Sequence, residues 1–448
     1  MRKRGMGLAT MVATSAGLAL ASSSYAAGIQ AAGVASGLWV VLAILVGGVV
    51  TMATALNFSE LAAMYPNAGG VQVYVRHAFG RAMSVTVTLL YVVLGWAGGS
   101  AESYIFAQAL TYLARAGHVP VLSQVPPLAW VALTLAGFYV VNLFGVELAG
   151  MAQTVMTFSM IGLLIAVSIF AWTNASASDW HGVLTTSFPH WGFLMGIAYT
   201  VYMYVGFEWI TPLSEDARDK RVVPRALPIT VLILAVCYAL FTGAMVLTVP
   251  LPDLAASPVP HMVFAHAFGG VPLVLIVGTI SILATFTFFN GGMMGNSRLL
   301  YAMAREGILP KALSRVHLRF FTPWVALSVM FAVQFVLSTV VTLTGAYVVP
   351  ILLAALIESF VYALIGLTVF ILRRREPAAD RPVRVRGSVL ALGSFVVFLV
   401  LGVSLMFPPS PLAVPLIFFI AGTACFLYAH FAAPRVEETA LNAAPRTS

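Results

Sequence analysis

The chain has 448 residues, of which 60% are hydrophobic and only 8% are charged, and its net charge is +8. Soluble globular domains carry about 25% charged residues, so this composition excludes a soluble enzyme or binding module. It predicts an all-α integral membrane protein. The excess of basic residues does not indicate a nucleic-acid partner, because these residues fall in the connections between apolar segments, where membrane topology explains them.

Apolar segments follow one another along the whole chain, and each is long enough to cross a bilayer, which takes about 20 residues. We count twelve of them and therefore predict twelve transmembrane helices. The segments run near 8–34, 37–64, 83–113, 127–146, 151–173, 191–213, 226–249, 271–302, 323–344, 349–372, 388–407 and 411–433.

The 23 Lys and Arg residues are distributed very unevenly over alternate connections. Only Arg115 falls on one side of the membrane, and all the others fall on the opposite side. Because positive residues remain on the cytoplasmic side, both termini are predicted to be cytoplasmic in a multi-pass protein of the inner cell membrane. The alternative is that residues 1–28 are a cleaved secretory signal. Apolar character continues to Val34, which favours a first span.

Residues 199–228 contain an apolar segment that cannot form one uninterrupted helix. Gly206, Glu208 and Pro212 stand where the helix would still be inside the membrane. Lipid does not tolerate free backbone groups, so such a break predicts a cavity lined by protein or water. A carboxylate at that depth is a functional-site candidate. The combination is more typical of a transporter binding site than of a structural span.

Four segments resemble the amino acid–polyamine–organocation (APC) superfamily of secondary transporters. They are NFSELAAMYPNAGGVQVYVRHAFG at 57–80, YVGFE at 204–208, the acidic-then-basic run at 215–228 and SRLLYAMAREGILP at 297–310. The resemblance extends from the first span to about the tenth. It implies a five-plus-five inverted repeat in which spans 1 and 6 are both broken and the substrate lies between them.

The resemblance also implies the division of the chain. Residues 1–433 would be one transporter domain, with repeats at about 8–173 and 191–372 and two extra spans at 388–433. Residues 434–448 would be a cytoplasmic tail. Half-helix N-termini suit a substrate carboxylate, and half-helix C-termini suit an ammonium group or a cation.

In span 1 the family has Gly-Ser-Gly at the break, and the matching residues here are Ala21, Ser22 and Ser23. Serine can still break a helix by bonding to its own backbone. We expect Ser22 and Ser23 to face the carboxylate or polar head of the ligand. The alternative is a stretch of small residues that packs against other helices.

In span 6, Gly206 is expected to provide an unwound turn and close approach to the ligand. Tyr202 and Phe207 match positions of a substrate-packing aromatic and a gate aromatic, and an aromatic face can bind a cationic head group. Glu208 is the strongest single candidate. It would couple protons, bind a substrate cation or bridge to a hydroxyl; the alternative is a structural hydrogen-bond acceptor that holds the break together.

Two more carboxylates lie inside spans, Glu102 in the third and Glu358 in the tenth. An excess of buried negative charge favours a cationic ligand, a proton relay or a protonated carboxyl. Glu102 follows Gly99 by three residues, so the two share a helix face, and Gly99 matches a ligand-lining position in some family members. Met160 stands where many proton-driven members have a lysine.

The predicted function is a secondary active transporter that moves an amino acid or related amine by alternating access. The lipid bilayer and a small-molecule substrate are its predicted partners, with a proton, sodium or an exchanged substrate as the coupling partner. The alternatives are a polyamine or organic-amine transporter or exchanger, and a non-transporting membrane sensor on the same scaffold. The histidines show no metal-type spacing, so neither an enzyme, a metal site nor a cofactor is predicted.

Overall fold

The computed structural model describes residues 5–66, 69–144, 150–176, 187–320, 322–384 and 387–432. Within these ranges every regular element is a helix, apart from one isolated bridge between Met6 and Ala217. The predicted all-helical fold is therefore confirmed. The predicted tail at 434–448 lies outside the described residues.

The helices are numbered here in chain order. They are α1 (Leu8–Ala19), α2 (Ser22–Val34), α3 (Trp39–Met64), α4 (Val71–Phe79), α5 (Arg81–Ala116), α6 (Pro120–Ser123), α7 (Pro127–Leu143), α8 (Gly150–Asn174), α9 (His190–Tyr204), a 3₁₀ helix (Phe207–Asp216), α10 (Val222–Thr248), α11 (Leu251–Ala255), α12 (Pro260–Arg305), α13 (Trp324–Thr344), α14 (Val348–Arg375), α15 (Val389–Ser404) and α16 (Ala413–Leu427).

By length and composition, nine helical segments of the described chain could cross a membrane. Three shorter apolar helices, α1, α7 and α15, accompany them. Helix α12 bends at Gly270, whose backbone is left-handed (φ 61°), so the straight part begins where the predicted segment 271–302 begins. Large apolar side chains such as Val49, Leu343 and Ile420 are mostly exposed, as expected for a surface in contact with lipid.

Helix α3 packs closely against α9 and α10 through small residues. Gly47 lies against Thr200, and Gly48 lies against Ala235 and the Tyr204 hydroxyl. Tyr204 donates a hydrogen bond to the carbonyl of Ile44 at 2.6 Å. Close backbone approach through small residues is a common basis of helix association in membranes, and here it fixes the position of α9 just before its break.

A buried cluster of charges connects the end of α3 to the last turn of α14 and to the segment that follows it. Glu60 is 1% exposed and forms ion pairs with Arg373 and, at 3.4 Å, with Arg381. Arg381 also donates to the carbonyls of Glu376 and Leu372. These ion pairs hold the end of α3 against the end of α14.

Tyr65, immediately after α3, strengthens the same contact. Its hydroxyl donates to the Glu376 carboxylate at 3.0 Å. Burial, followed by this hydrogen bond, raises the pKa of Tyr65 above its ordinary value, so the tyrosine remains a neutral donor.

Candidate functional site

The first span is interrupted between Ala19 and Ser22. The carbonyl of Ala19 ends α1 and accepts hydrogen bonds from the Tyr238 hydroxyl at 2.6 Å and from Ser24 Oγ at 3.2 Å. Ala21 is extended (φ −91°, ψ 155°), and α2 begins at the next residue. The backbone N–H of Ala21 also donates to the Ala19 carbonyl at 2.8 Å. Side-chain and backbone donors together therefore satisfy a helix end at membrane depth.

The sixth span is interrupted at Val205 and Gly206. Helix α9 ends at Tyr204, and Gly206 has φ 108°, which suits glycine because it lacks a Cβ. A Cβ at Gly206 would lie 3.2 Å from the carbonyl carbon and oxygen of Leu18. Ser15 also donates to the carbonyl of Phe207 at 2.6 Å. The two breaks are thus in direct contact.

Glu102 of α5 binds the first turn of α2. Its carboxylate accepts hydrogen bonds from the backbone N–H groups of Ser22 at 3.2 Å and Ser23 at 2.8 Å. Thr285 of α12 donates a third hydrogen bond at 2.5 Å. Glu102 is fully buried, and its hydrogen-bond donors in the described chain are hydroxyl and backbone groups. Two of these donors belong to the N-terminal end of a helix, which carries a partial positive charge.

Glu208 is the second residue of the 3₁₀ helix, and its side chain folds back to the beginning of that helix. Its Oε2 accepts from the N–H of Gly206 at 3.3 Å and from the Tyr362 hydroxyl at 2.9 Å. The Tyr91 hydroxyl lies 3.4 Å from Glu208 Oε1 and 3.3 Å from Glu358 Oε1. A hydroxyl has only one proton to donate, so Tyr91 cannot satisfy both carboxylates at once.

A cavity lies at the junction of the two breaks. It is bordered by the ends of α1 and α9, the beginning of α2, one face of α5 and part of α12. Among its lining residues are Ala19, Ser24, Gly98, Tyr202, Trp209 and Phe288. Tyr202 shares a 2.8 Å hydrogen bond with Ser23. Within the described chain, the buried indole Nε1 of Trp209 has no hydrogen-bond partner.

The structure places six of the eight sequence-predicted site residues in three positions. Tyr202 and Gly206 line the cavity. At the start of α2, the Glu102 carboxylate accepts hydrogen bonds from the N–H groups of Ser22 and Ser23. At the start of the 3₁₀ helix, the Glu208 carboxylate accepts one from the N–H group of Gly206.

Gly99 and Phe207 lie elsewhere. A Cβ at Gly99 would meet Gln334 of α13 at 2.5 Å, so this glycine allows two helices to pack closely. The ring of Phe207 lies among Phe58 and Tyr362, with centroids at 6.0 and 5.7 Å. Gly98, adjacent to Gly99, is the residue of that pair that borders the cavity.

Several residues that line the cavity could not easily be predicted from the sequence. Trp209 is adjacent to the predicted Glu208, and its position just after a break could have suggested it. Phe288 and Gly98 lie in continuous apolar helices, where nothing local distinguishes a cavity from a packed core. Around Gly17 of α1, Gln153, Thr157 and Thr287 form a polar group.

A helical membrane protein with two broken helices meeting at a cavity is the class that this fold and site define. A profile described as "Amino acid permease" matches residues 6–429. The chain belongs to this family of transporters, which confirms the predicted family and transport function and excludes an enzyme as its class.

The relatives in the comparison are transporters, and two of them have a named cargo. An uncharacterised transporter of Mycobacterium tuberculosis is 28% identical over 342 residues, which are 76% of this chain and 73% of the relative. The low-affinity putrescine importer PlaP of Escherichia coli is 26% identical over 60% of each chain. The serine/threonine exchanger SteT of Bacillus subtilis is 26% identical, over 75% of this chain and 76% of the exchanger.

The fold is shared with more distant solved structures. A manganese transporter of Eremococcus coleocola superposes with a TM-score of 0.62 over 94% of this chain and 92% of its own, at 12% identity. At this identity the similarity shows the fold alone.

Proposed function

We propose that the chain is a secondary active transporter that moves an amino acid or a related amine across the cell membrane by alternating access. The observation that carries this proposal is the cavity at the contact between the two breaks, where Gly206 packs against the backbone of Leu18. Free backbone groups and helix ends at membrane depth can bind a ligand without a dedicated charged side chain. The putrescine importer and the serine/threonine exchanger named above support both an amine and an amino acid as substrate classes.

The proposal includes the organisation predicted from the sequence. Twelve spans would form a five-plus-five inverted repeat, with repeats at about 8–173 and 191–372 and extra spans at 388–433. Both termini would be cytoplasmic, in the inner membrane. The uneven distribution of Lys and Arg supports this orientation.

Coupling to a proton or sodium ion, or exchange of one substrate for another, completes the mechanism. Glu208 and Glu358 both lie next to the Tyr91 hydroxyl. Their hydrogen-bond donors in the described chain are tyrosine hydroxyls and a backbone N–H. Two carboxylates buried together need a proton or a cation to balance their charge, which supports Glu208 as the residue that couples transport to an ion.

The test is accumulation in proteoliposomes. A thermal-shift screen against amino acids, polyamines and small amines first identifies a ligand, because binding to the folded state raises the unfolding temperature. We expect that ligand, radiolabelled, to accumulate above its external concentration when a proton or sodium gradient is imposed, or only in preloaded vesicles if the protein is an exchanger. Binding without any flux would contradict the proposal and indicate a sensor.

The Glu208→Gln variant tests whether Glu208 couples transport to an ion. We expect gradient-driven accumulation to fall at least about tenfold, while equilibrium exchange of labelled for unlabelled ligand persists, since the amide keeps an acceptor for Gly206 and Tyr362. Asp253→Asn, on the exposed helix α11, is the control. Undiminished accumulation by Glu208→Gln would remove Glu208 from the coupling step.

A further inference from the structure

Both half-helix N-termini at the breaks are already occupied by carboxylates of the chain itself. Glu102 accepts from the N–H groups of Ser22 and Ser23 at the start of α2. Glu208 accepts from the N–H of Gly206 at the start of the 3₁₀ helix. The N-terminus of a helix carries about half a positive elementary charge and free N–H donors, so these are the places where a ligand carboxylate would otherwise bind.

The two carboxylates are held in place by other helices. Thr285 of α12 donates to Glu102 at 2.5 Å, and Tyr362 of α14 donates to Glu208 at 2.9 Å. Both glutamates are almost completely buried. A ligand carboxylate could bind at α2 only by displacing Glu102, which would leave a buried charge without its hydrogen bonds, and such groups are costly to leave unpaired.

The groups that border the cavity favour the opposite charge. Leu18 and Ala19 belong to the C-terminal end of α1, and Tyr202 and Val205 lie at the C-terminal end of α9. Helix C-termini carry a partial negative charge. Tyr202 and Trp209 add aromatic rings, whose faces attract ammonium groups.

We infer that the cavity takes an ammonium ligand that has no carboxylate, and that Glu102 is the residue that excludes amino acids from it. This inference rests on the proposed transport function and narrows its substrate class. The Glu102 carboxylate accepts the hydrogen bonds of the first N–H groups of α2 whether or not a ligand is present. An amine can therefore bind without supplying a carboxylate for these groups. The carboxylate of an amino acid would instead meet two negative helix ends, and the first N–H groups of α2 would already be bound to Glu102.

Pairs of compounds that differ only in the carboxylate test this inference. The pairs are tyramine and tyrosine, histamine and histidine, isobutylamine and valine, and cadaverine and lysine. Each compound is titrated against the purified full-length protein while the unfolding temperature is recorded. We expect at least one amine to stabilise the protein, with an apparent Kd at least about tenfold lower than that of its amino acid.

Glu102→Ala vacates the start of α2, and we expect it to let the amino acid of the same pair bind, reversing or erasing the preference. A purely structural role for Glu102 would lower stability without creating this new affinity. Asp253→Ala removes a carboxylate from the exposed helix α11 and is expected to keep the wild-type preference. If Glu102→Ala does not fold, the comparison of pairs on the wild-type protein decides whether the ligand lacks a carboxylate.

Three other results of these titrations would each contradict a different part of the proposal. Stabilisation of the wild type by amino acids as strong as that by their amines would overturn the inference while leaving the transport proposal intact. A folded Glu102→Ala protein with the wild-type preference would overturn the assignment to Glu102. If no amine and no amino acid binds, the proposed substrate class is wrong, and the inference fails with it.

Discussion

Gly206→Val is expected to separate the two breaks and abolish transport. The Cβ of any side chain would lie 3.2 Å from the carbonyl of Leu18 and 3.3 Å from the nitrogen of Ala19. These are backbone atoms in the last turn of α1, and they cannot move aside as a flexible side chain can. The φ of 108° adds strain, because β-branched residues rarely adopt it. Together the steric contact and the backbone strain are expected to lower the free energy of unfolding by several kcal/mol, since each contributes about 1–3 kcal/mol.

The measurement is the unfolding temperature in detergent, together with uptake of the ligand identified by the binding screen. Gly162→Val is the matched control, because Gly162 lies within α8 and has open space where a Cβ would be. Gly206→Ala should show the same defect in milder form. Equal stability and uptake for Gly206→Val and Gly162→Val would mean that the contact between the breaks is not required.

Glu60→Ala is expected to lower the free energy of unfolding by about 3–5 kcal/mol, the usual cost of removing one partner of a buried ion pair. The side chains of Arg373 and Arg381 are only 8% and 5% exposed, so two guanidinium groups would lose a buried counter-charge. The defect should appear as a lower unfolding temperature and a lower yield of folded protein.

Asp253→Ala is again a suitable control, because that carboxylate is on the exposed helix α11 and single exposed charges contribute about 0–1 kcal/mol. The Glu60→Gln variant separates charge from shape, since the amide keeps the volume and one acceptor. A Glu60→Ala protein as stable as its Asp253→Ala control would show that the cluster contributes no net stability.

The fold could be predicted because the bilayer imposes a strong local signal. Each predicted apolar segment contains a helix of the described chain, and the breaks fall close to where Ser22 and Gly206 indicated them. Gly206, with Glu208 and Pro212 close to it in the sequence, disrupts a helix without help from other parts of the chain. The break at Gly206 could therefore be predicted without knowing which helices pack around it. The number of spans and the internal repeat remain predictions.

The partners of the site residues could not be predicted in the same way. Glu102 and Ser22 are 80 residues apart, and their contact depends on how α5 crosses the start of α2. Gly99 and Glu102 were expected to line one site, but Gly99 lies against Gln334 of the neighbouring helix α13, and Gly98 borders the cavity. Arg373 and Arg381 were counted only as topology signals, because a sequence does not show which way a connection folds back.

The occupation of both positive helix ends by Glu102 and Glu208 also has an electrical consequence. An amino acid with a neutral side chain is a zwitterion and crosses the membrane without net charge, whereas removal of its carboxylate leaves an ammonium ligand with one positive charge. A membrane voltage of 100 mV changes the free energy of one charge by about 2.3 kcal/mol. Voltage itself would therefore drive such a ligand inward, unless an outgoing cation travels in exchange, and current recordings would distinguish the two modes of operation.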